Sequence, residues 1–458
     1  MLTVIGEMME RKPNLIFVFG DQHRQCDVGC AGNPQVQTPA MDQLAQEGMF
    51  FPNTFTNVPI CVPARGSLMT GKHPLSHKAV SNDLPLPLTE TGIAQVYKDI
   101  GYETGYIGKW HLGGVPRDKF ITPEMRFGFD HWVGWNCHHN YFNAPYHDSD
   151  GNKMQIEGYE PDFQTDQAIQ YCRDHADEPF CLYVSWGPPH NPYEHVPEKY
   201  KEMYPPEDIQ LRPNAVDTPA IRKDISGYYA HITALDDNLG RLMTALDEIG
   251  IAEDTILVYT SDHGDMLGSH GHNRKERPWD ESSRIPFMIR YPRKIPTGVT
   301  RDTLLSLVDF MPSMLSLCDL PIPEGVEGID LSDAMLGKEI DEPQSVLLEL
   351  PMHGGEGNNF GLTEWRGVRT HRYTYARHYD GTGWLLYDND NDPFQMNNLI
   401  DDANSQSIRD ELEEELHQWL KRINDPCIAG IDHIRQLGLA ELWNLSEQRL
   451  GGRKPRWA

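Results

Sequence analysis

The sequence NLIFVFGDQ, residues Asn14–Gln22, indicates the fold class of this chain. Its first six residues, Asn14–Phe19, form an apolar run that is typical of a strand buried on both faces of a parallel sheet. Asp21 and Gln22 then place a carboxylate and an amide just past the carboxyl end of this strand. Open parallel sheets bind their ligands at that edge. The stretch therefore predicts a buried sheet with a functional site beside it.

Similar apolar runs recur along the chain and alternate with predicted helices. The further predicted strands are Thr104–Ile107, Phe180–Trp186, Thr255–Thr260 and Pro286–Tyr291. The predicted helices are Thr38–Gly48, Gly92–Ile100 and Ile221–Gly250. The first of these has a Thr cap, Pro at its first position and a closing Gly. Strands that alternate with helices predict an α/β fold, with a large, mostly parallel sheet flanked by helices.

Polar residues collect directly after these predicted strands. They are Asp21, Gln22, Lys109, His111, His190, Asp262 and His263. Because the carboxyl ends of parallel strands meet at one edge, we expect these side chains to lie together. Each residue alone also fits a turn, a surface lysine or a histidine bonded to backbone, but their shared position favours a site.

A cysteine precedes a predicted helix in the stretch PICVPARGSLMTG, residues Pro59–Gly71. Pro63 suits the first turn of a helix, where its missing N–H is not needed. Cys61 is therefore expected at a helix N-terminus, where backbone N–H groups and the helix dipole favour negative charge. Arg65 lies one turn further on and can reach the same spot. A small buried cysteine before an ordinary helix fits these residues as well.

The texture of the sequence changes at two places. Residues 114–165 are rich in Gly, Pro, His and aromatic residues, which predicts a long irregular insertion that shapes a site. Short antiparallel strands are predicted at residues 365–369, 372–375 and 384–388. A capped amphipathic helix, Ser405–Ile423, follows them. We therefore predict a main domain, residues 12–350, and a smaller C-terminal α+β subdomain, residues 351–458, whose tail serves as an oligomer contact or an added edge.

The charge of the chain argues against two classes of partner. The 458 residues carry 40 Lys+Arg against 68 Asp+Glu, a net charge of −28. Such a surface repels nucleic acid and anionic membranes, so we expect neither as a partner. No apolar stretch is long enough to span a membrane, no secretory signal is visible, and eight dispersed cysteines are typical of reduced thiols. We expect a cytoplasmic location, or a periplasmic one if a signal has been removed.

Several motifs, taken in order, resemble the type I sulfatases of the alkaline-phosphatase-like superfamily. The resemblance runs from about Pro13 to Asn398. Its motifs are Cys61-Val62-Pro63-Ala64-Arg65 with Leu68–Gly71, Gly101–Thr104 leading to Gly108–Gly113, Asp262-His263-Gly264, Lys275 ahead of Glu281 and Arg284–Pro286, and Leu386–Asp388 leading to Asp392-Pro393 and Asn397–Leu399. The resemblance implies an alkaline-phosphatase-like fold, a sulfatase catalytic domain at residues 12–350, and hydrolysis of sulfate monoesters, with sulfated carbohydrates among the substrates.

In that family a formylglycine-generating enzyme oxidises the motif cysteine to formylglycine, and the resemblance implies this modification for Cys61. A hydrated aldehyde offers one hydroxyl as the nucleophile and keeps a second, so the aldehyde can re-form and expel sulfate without attack by water. The resemblance also implies one divalent metal that activates this hydroxyl and polarises a sulfate oxygen. By position, the ligands are Asp21, Gln22, Asp262 and His263, joined by residue 61.

The expected metal site departs from the commonest pattern of the family. That pattern has Asp where this chain has Gln22 and Asn where it has His263. The exchange removes one carboxylate and adds one imidazole, so the ligand set is less anionic and less purely oxygen. Calcium is the first choice from the family, and the ligand set also admits manganese or zinc.

The resemblance assigns roles to the remaining polar residues. Arg65, Lys109 and Lys275 would hold the nucleophile and neutralise the sulfate oxygens. His111 would be the base, and His190 with Lys275 would protonate or stabilise the leaving alkoxide. Further candidates for substrate recognition are His138, His139, Asn140, Tyr141, Asn191, Tyr193, Arg277, Trp279 and His353. Solvated loop residues are the other interpretation of this set, and the loops at 114–165 and 351–362 are expected to set the substrate.

Two other functions fit the same residues. A phosphonate monoester or phosphodiester hydrolase of the same superfamily would share the formylglycine cysteine. It would also resemble this chain in the Asp21-Gln22 and Asp262-His263 pairs. Sulfate and phosphonate monoesters each carry a single negative charge, so one pocket can accept both. A catalytically silent binding protein on this fold is the third alternative, which the full set of polar residues disfavours.

Overall fold

The run Leu15–Phe19 forms a strand that is buried on both faces, as its composition predicts. The computed structural model describes residues 11–354 and 363–449. Its strands are β1 (Asn14–Asp21), β2 (Met49–Phe50), β3 (Thr54–Phe55), β4 (Glu103–Lys109), β5 (His131–Trp135), β6 (Pro145–His147), β7 (Lys153–Gln155), β8 (Phe180–Pro189), β9 (Thr255–Ser261), β10 (Met288–Arg290), β11 (Val299–Thr300), β12 (Leu305–Ser306), β13 (Ser345–Leu350), β14 (Trp365–Thr370), β15 (Tyr373–His378) and β16 (Gly383–Asp388).

The main sheet has ten strands in the order β11-β2-β10-β9-β1-β8-β4-β5-β6-β7. Its central strands β9, β1, β8, β4 and β5 are all parallel to their neighbours within that group. Strand β10 is antiparallel to β9 and β2, and β6 and β7 run antiparallel at the other edge. The predicted α/β fold with a large, mostly parallel sheet is therefore confirmed.

The register of the parallel strands aligns their carboxyl ends. Gly20 of β1 lies opposite Ser261 of β9, and Asp21 lies opposite Pro189 of β8. Gly108 of β4 lies opposite Ser185 of β8. The residues at and just beyond these ends therefore share one edge of the sheet, where ligands of open α/β sheets bind.

Helices cover both faces of the sheet because neighbouring residues of β1 point to opposite sides. Phe17 belongs to one apolar core and Val18 to the other. The helices are Pro39–Glu47, Cys61–Thr70, Pro74–His77, Ile93–Asp99, Glu160–Asp174, Glu198–Lys201, Pro219–Ile249, Asp280–Ser283, Phe310–Leu317, Ser332–Met335, Gln406–Arg422, Gly430–Gln436 and Ala440–Arg449. Short 3₁₀ turns lie at Gly29–Ala31, Pro123–Arg126, Pro206–Asp208, Ala252–Asp254, Leu307–Asp309 and Ala403–Ser405.

The predicted caps of the helix Pro39–Glu47 differ from the structure. Thr38 occupies the N-cap position, but its hydroxyl accepts a hydrogen bond from Gly29 N at 2.7 Å instead of capping the helix. Gly48 ends the helix without a left-handed conformation. A Cβ at Gly48 would lie 2.1 Å from the backbone oxygen of Ile289, so close packing against the sheet explains this glycine.

The insertion at residues 114–165 is more regular than predicted. It contains β5, β6 and β7, which extend the main sheet, and the start of the helix Glu160–Asp174. The prediction of an irregular segment is wrong where these elements lie. The strands β6 and β7 have only three residues each, a length at which no alternation is detectable, and they form by pairing, β6 with β5 and β7 with β6.

A separate antiparallel sheet, β13-β14-β15-β16, forms the C-terminal part of the described chain. The helix Gln406–Arg422 covers one face with Leu412, Leu416 and Leu420, and the other face joins the main core through residues such as Trp365. The first strand of this sheet, Ser345–Leu350, precedes the expected domain boundary at residue 350. No helix of the described residues combines the length and apolar character needed to cross a membrane.

Candidate active site

The aligned strand ends and the cysteine helix meet at one buried cluster. Asp21 is the last residue of β1, and Asp262 and His263 follow β9 directly. Cys61 is the first residue of the helix Cys61–Thr70. One ligand atom from each of these four buried side chains lies within 4.8 Å of the others. The residues that the strand-end rule and the proline signal predicted to lie together are thus brought together by the fold.

The thiol of Cys61 is buried and surrounded by polar atoms. Its Sγ lies 3.1 Å from Lys275 Nζ, 3.2 Å from His263 Nε2 and 3.9 Å from Asp21 Oδ1. Burial, assisted by the negative charge of Asp21, raises the pKa of the thiol, and the nearby lysine only partly offsets this effect. An unmodified Cys61 is therefore a protonated thiol near neutral pH.

Arg65 binds the two carboxylates of the cluster together. Its Nε donates to Asp262 Oδ2 at 2.9 Å and its Nη2 to Asp21 Oδ2 at 3.0 Å. Its Nη1 donates to Ser185 Oγ at 2.9 Å and to the backbone oxygen of Lys109 at 2.7 Å. The planar guanidinium therefore fixes both carboxylates at once, which a lysine could not do.

Lys109 adds a second positive charge to Asp21, to which its Nζ donates a short hydrogen bond. Burial alone would raise the pKa of Asp21, but the surrounding positive charges, above all that of Lys109, hold this pKa well below its usual range. Asp21 is thus ionised and available as a metal ligand or as a fixed negative charge.

The imidazole of His263 is oriented by its own backbone neighbour. Its Nδ1 lies 2.9 Å from the backbone oxygen of Gly264, and a carbonyl can only accept. Nδ1 therefore carries the proton, and Nε2 directs its lone pair toward the cluster, where Cys61 Sγ lies 3.2 Å away. Burial also lowers the pKa of His263, which favours this neutral form.

Gln22 contacts the cluster through its backbone and its amide. The Gln22 backbone N–H donates to Asp262 Oδ1 at 3.0 Å. The Oε1 atom accepts from Lys275 Nζ at 2.8 Å, and Nε2 donates to Asp265. The amide oxygen of Gln22 thus contacts the ammonium group of Lys275. The role of Gln22 as a metal ligand stays a prediction.

The cluster fits a divalent cation by the chemistry of its donors. Two buried carboxylates, an imidazole nitrogen with a free lone pair and the side chain of residue 61 converge on one point. Oxygen donors with one nitrogen suit hard or borderline divalent ions. The family-based expectation of a bound metal is therefore consistent with the residues present.

His111 follows β4, two residues after Lys109, and its ring makes no hydrogen bond to the described residues. Its backbone has a φ of 60°, and its N–H donates to the backbone oxygen of Asn136 at 2.6 Å. Both ring nitrogens are buried without a hydrogen-bond partner among the described residues. Burial, and then the charge of Lys109, lowers the pKa of His111. A buried, neutral, unpartnered imidazole is suited to accept a proton from a bound substrate.

His190 follows β8 and stacks on a second histidine. The rings of His139 and His190 are stacked and nearly parallel, with an interplanar angle of 4° and centroids 4.1 Å apart. His190 Nδ1 lies 2.8 Å from the backbone oxygen of Asn191, and the Tyr141 hydroxyl donates to the backbone oxygen of His190 at 2.6 Å. Burial, and then the charge of His139, lowers the pKa of His190.

The loop candidates divide into two groups. His139 and Tyr141 contact His190, and His138 lies beside them, stacked on Trp135 at 4.4 Å. The others support neighbouring residues. Tyr193 donates to Asp265, Arg277 Nη1 donates to the backbone oxygen of Lys275, Trp279 donates to the Tyr387 hydroxyl, and His353 Nδ1 lies 3.2 Å from the backbone oxygen of Gly354. Asn140 is exposed, and Asn191 contributes its backbone oxygen. Most of the expected loop 351–362 lies outside the described residues.

Sequence reasoning missed Asn136 and Ser185. Asn136 accepts from Gly113 N at 3.0 Å and donates to the Gly114 backbone oxygen at 2.7 Å, which fixes the loop that carries His111. Asn136 directly follows β5, so the strand-end rule would have found it had β5 been recognised. Ser185 lies inside a buried strand, where a small polar residue gives no distinguishing signal.

Comparisons with known proteins identify the family of this chain. The family model described as Sulfatase matches residues 13–320. The model described as N-sulphoglucosamine sulphohydrolase, C-terminal, matches residues 268–422. Together these matches span the main sheet and the C-terminal sheet.

Curated relatives are similar over most of the chain. An ulvan-active sulfatase of Formosa agariphila is 39% identical over 435 residues, which cover 92% of this chain and 84% of the relative. An endo-4-O-sulfatase of Bacteroides thetaiotaomicron is 30% identical and covers 92% of this chain and 94% of its own length.

Solved structures share the fold. A sulfatase structure from Bacteroides fragilis, yidJ, superposes with a TM-score of 0.83 at 33% identity, covering 91% of this chain and 97% of the other. A phosphonate monoester hydrolase of Agrobacterium radiobacter gives a TM-score of 0.77 at 23% identity, covering 90% and 96%, and this likeness shows the fold alone. The chain therefore belongs to the sulfatase family of the alkaline-phosphatase-like superfamily and is a sulfuric ester hydrolase.

Proposed function

We propose that this chain hydrolyses sulfate monoesters of a carbohydrate, with a formylglycine derived from Cys61 and a divalent metal beside it. The observation that carries the proposal is the buried convergence of Cys61, Asp21, Asp262 and His263. The names of the ulvan-active sulfatase and the endo-4-O-sulfatase support a sulfated saccharide as the substrate.

The state of the thiol supports its conversion. Burial raises the pKa of Cys61, so the free thiol would be a weak nucleophile near neutral pH. When formed and hydrated, formylglycine supplies one hydroxyl that attacks sulfur and a second whose deprotonation lets sulfate leave. Cys61 is only 1% exposed, so a formylglycine-generating enzyme must reach it before the helix Cys61–Thr70 packs into the core.

The metal would be held by Asp21, Asp262 and His263, with residue 61 and the predicted ligand Gln22 beside them. Bound there, a divalent cation would polarise a sulfate oxygen and lower the pKa of a bound hydroxyl. Calcium is the first choice because two carboxylates and an amide oxygen are hard donors, while the His263 nitrogen also admits manganese or zinc. Arg65 keeps both carboxylates in place, so its first role is to position the ligands.

Lys109 and Lys275 supply the positive charge that a sulfate group requires. Both ammonium groups are buried beside Asp21 and Cys61 respectively, where a fixed charge is stronger than in water. As charge develops on the sulfate oxygens and on the leaving oxygen, these groups would stabilise the transition state.

His111 and His190 move the protons. The ring of His111 is neutral and has no hydrogen-bond partner in the part of the chain that the structure describes, so it would accept the proton whose loss releases sulfate from residue 61. His190 donates Nδ1–H to Asn191, which leaves Nε2 for the substrate. Its lowered pKa favours the neutral ring in the free enzyme, so the negative charge of a bound sulfate ester would supply the countercharge for the imidazolium that protonates the leaving oxygen.

Two measurements test this function. Mass spectrometry of the tryptic peptide Gln25–Arg65 from the native host is expected to show formylglycine, and cysteine alone would contradict the modification. Ion chromatography should then detect sulfate released from sulfated oligosaccharides by the converted enzyme, and not by the Cys61→Ala variant. Absence of sulfate release from every saccharide and aryl ester would refute the function itself.

A further inference from the structure

Arg117 lies in the insertion at residues 114–165, and only two of its three guanidinium nitrogens donate hydrogen bonds to the described residues. Its Nε donates to Asp83 Oδ1 at 2.6 Å and its Nη2 donates to Asp83 Oδ2 at 2.9 Å. This two-point contact fixes the plane of the guanidinium. The third nitrogen, Nη1, makes no hydrogen bond to any residue that the structure describes, and the side chain is 23% exposed. A rigidly held arginine therefore presents free N–H donors to its surroundings.

Both sides of this pair connect directly to the active site. Asp83 follows Asn82, whose Oδ1 accepts from Val62 N at 3.1 Å, and Val62 is next to the nucleophile position. On the other side, Cys137 N donates to the backbone oxygen of Arg117 at 3.1 Å, two residues before His139. Arg117 is thus fixed between the start of the helix Cys61–Thr70 and the segment that carries His139.

The positive charge of Arg117 affects the pKa values of two histidines, His111 and His139. Burial, followed by the positive charges of Lys109 and Arg117, lowers the pKa of His111. The charge of Arg117 also lowers the pKa of His139, after burial and the charges of Lys109, Asp21 and Lys275, of which only Asp21 acts in the opposite direction. Arg117 therefore lies close enough to His111 and His139 to act on them electrostatically, although the chain as a whole is strongly negative.

We propose that Arg117 forms a second anion subsite, which binds a carboxylate or a further sulfate on the sugar next to the scissile sulfate ester. This inference rests on the proposed sulfatase function and deepens it, because it makes the substrate an anionic saccharide with at least two negative groups. Nη1 and the outer N–H of Nη2 would donate to the oxygens of that second group. Asp83 holds the guanidinium in place and does not contact the sugar.

The test compares sulfated disaccharides that differ in one neighbouring group. The substrates carry the same sulfate ester beside a uronate carboxylate, its neutral methyl ester, or a second sulfate. For each, kcat/KM is measured with the wild-type enzyme, Arg117→Gln, Arg117→Lys and the control Arg173→Gln, all with Cys61 converted. Arg173 is an exposed arginine on the helix Glu160–Asp174, so its loss changes the net charge equally.

The wild type should prefer one of the anionic substrates over the methyl ester. Arg117→Gln should lower that preference by about 10- to 100-fold, the size of one charge-assisted hydrogen bond. Arg117→Lys should retain part of it, and Arg173→Gln all of it. The carboxylate and second-sulfate arms identify which group the subsite takes.

Two results would overturn the subsite. One is a wild type that cleaves aryl sulfate but treats all three disaccharides alike, which leaves the sulfatase function intact. The other is an equal loss by Arg117→Gln and Arg117→Lys on anionic and neutral substrates, which would indicate a purely structural ion pair with Asp83. Absence of turnover of any sulfate ester would instead refute the sulfatase function, and the subsite with it.

Discussion

The active site has two sides, which we call the paired wall (Asp21, Asp262 and Arg65) and the unpaired wall (His111, His139 and His190). These walls differ in how completely their polar groups are hydrogen-bonded. On the metal side, Asp21, Asp262 and Arg65 use their polar atoms on one another at distances of 2.9 to 3.0 Å. On the histidine side, His111 has two buried ring nitrogens without a partner among the described residues, and His139 has one. Both walls are buried, so burial alone does not explain the difference.

This difference in hydrogen bonding suits the two walls to different roles, the binding of a metal and the binding of a substrate. Paired carboxylates keep fixed positions without a ligand, which suits groups that must hold a metal and a nucleophile in advance. Unpaired buried nitrogens cost free energy until something binds them, which suits groups that wait for a substrate. We therefore expect mutations on the paired wall to reduce metal binding, and mutations on the unpaired wall to change turnover and substrate choice.

The largest effect is expected at the nucleophile. Cys61→Ala should lower kcat by about 10⁴-fold or more, because removing the covalent nucleophile leaves only the contribution of binding and electrostatics. The half-buried Cys30, which is outside the cluster, provides the control Cys30→Ala, and its activity should stay close to wild type. Substantial sulfate release by Cys61→Ala would show that the nucleophile is another group.

Removal of the base on the unpaired wall should have the next largest effect. His111→Asn should lower kcat by about 10²- to 10⁴-fold. Since burial lowers the pKa of His111, the neutral base persists below pH 6.5, and wild-type activity should fall only as the pH drops further. A pH–rate profile measures this limb, which should be absent in His111→Asn. An unchanged acid limb in the variant would assign it to another group.

Arg65→Lys tests the paired wall. A lysine can contact one carboxylate but leaves the other buried without its partner, so the metal affinity should fall by about 10- to 100-fold. Titration of the chelator-treated enzyme with calcium measures this affinity. Arg126→Lys is the matched control, because buried Arg126 donates to two backbone carbonyls and, among the described residues, to no carboxylate. Equal loss of affinity in both variants would contradict a ligand-positioning role.

The last prediction concerns the stability of the protein and the buried side chain of Glu160, whose Oε1 accepts a hydrogen bond from the Tyr146 hydroxyl at 2.7 Å. Burial raises the pKa of Glu160 to about 8, and its Oε2 atom has no partner among the described residues. The folded state therefore keeps a proton that the unfolded state loses from about pH 4.5, so this group's contribution to stability falls as the pH rises toward 8.

Glu160→Gln cannot titrate, so it should become more stable than the wild type by a few kcal/mol on going from pH 5 to pH 8. Thermal unfolding at both pH values measures the difference, with the exposed Glu157→Gln as the control. A difference that does not change with pH would show that Glu160 is ionised in the folded protein.

The sequence predicted the paired wall better than the unpaired one. Asp21, Lys109 and Asp262 lie at or just after the ends of long buried strands, and such strands are visible as apolar runs. Cys61 was located by the proline two residues later. Each of these signals can be read from a few neighbouring residues. The parallel sheet then brings the residues together because the carboxyl ends of its strands are aligned.

The unpaired wall depends on contacts that a single sequence does not display. Strands β6 and β7 are too short to be recognised, and Asn136 has meaning only after β5 is known to be a strand. Arg117 is one arginine among many until its pairing with Asp83, which is 34 positions away, is seen. Tertiary contacts of this kind decide which loop residues face the site, and the sequence could name them only as a group.

The most direct test of the central claim compares two esters on the same enzyme. The chain is co-produced with a formylglycine-generating enzyme, and kcat/KM is measured for an aryl sulfate and for the matching aryl phosphonate monoester. The account predicts a clear preference for the sulfate. A preference for the phosphonate would contradict it, place the chain with the phosphonate monoester hydrolases, and make Gln22 and His263 marks of that chemistry.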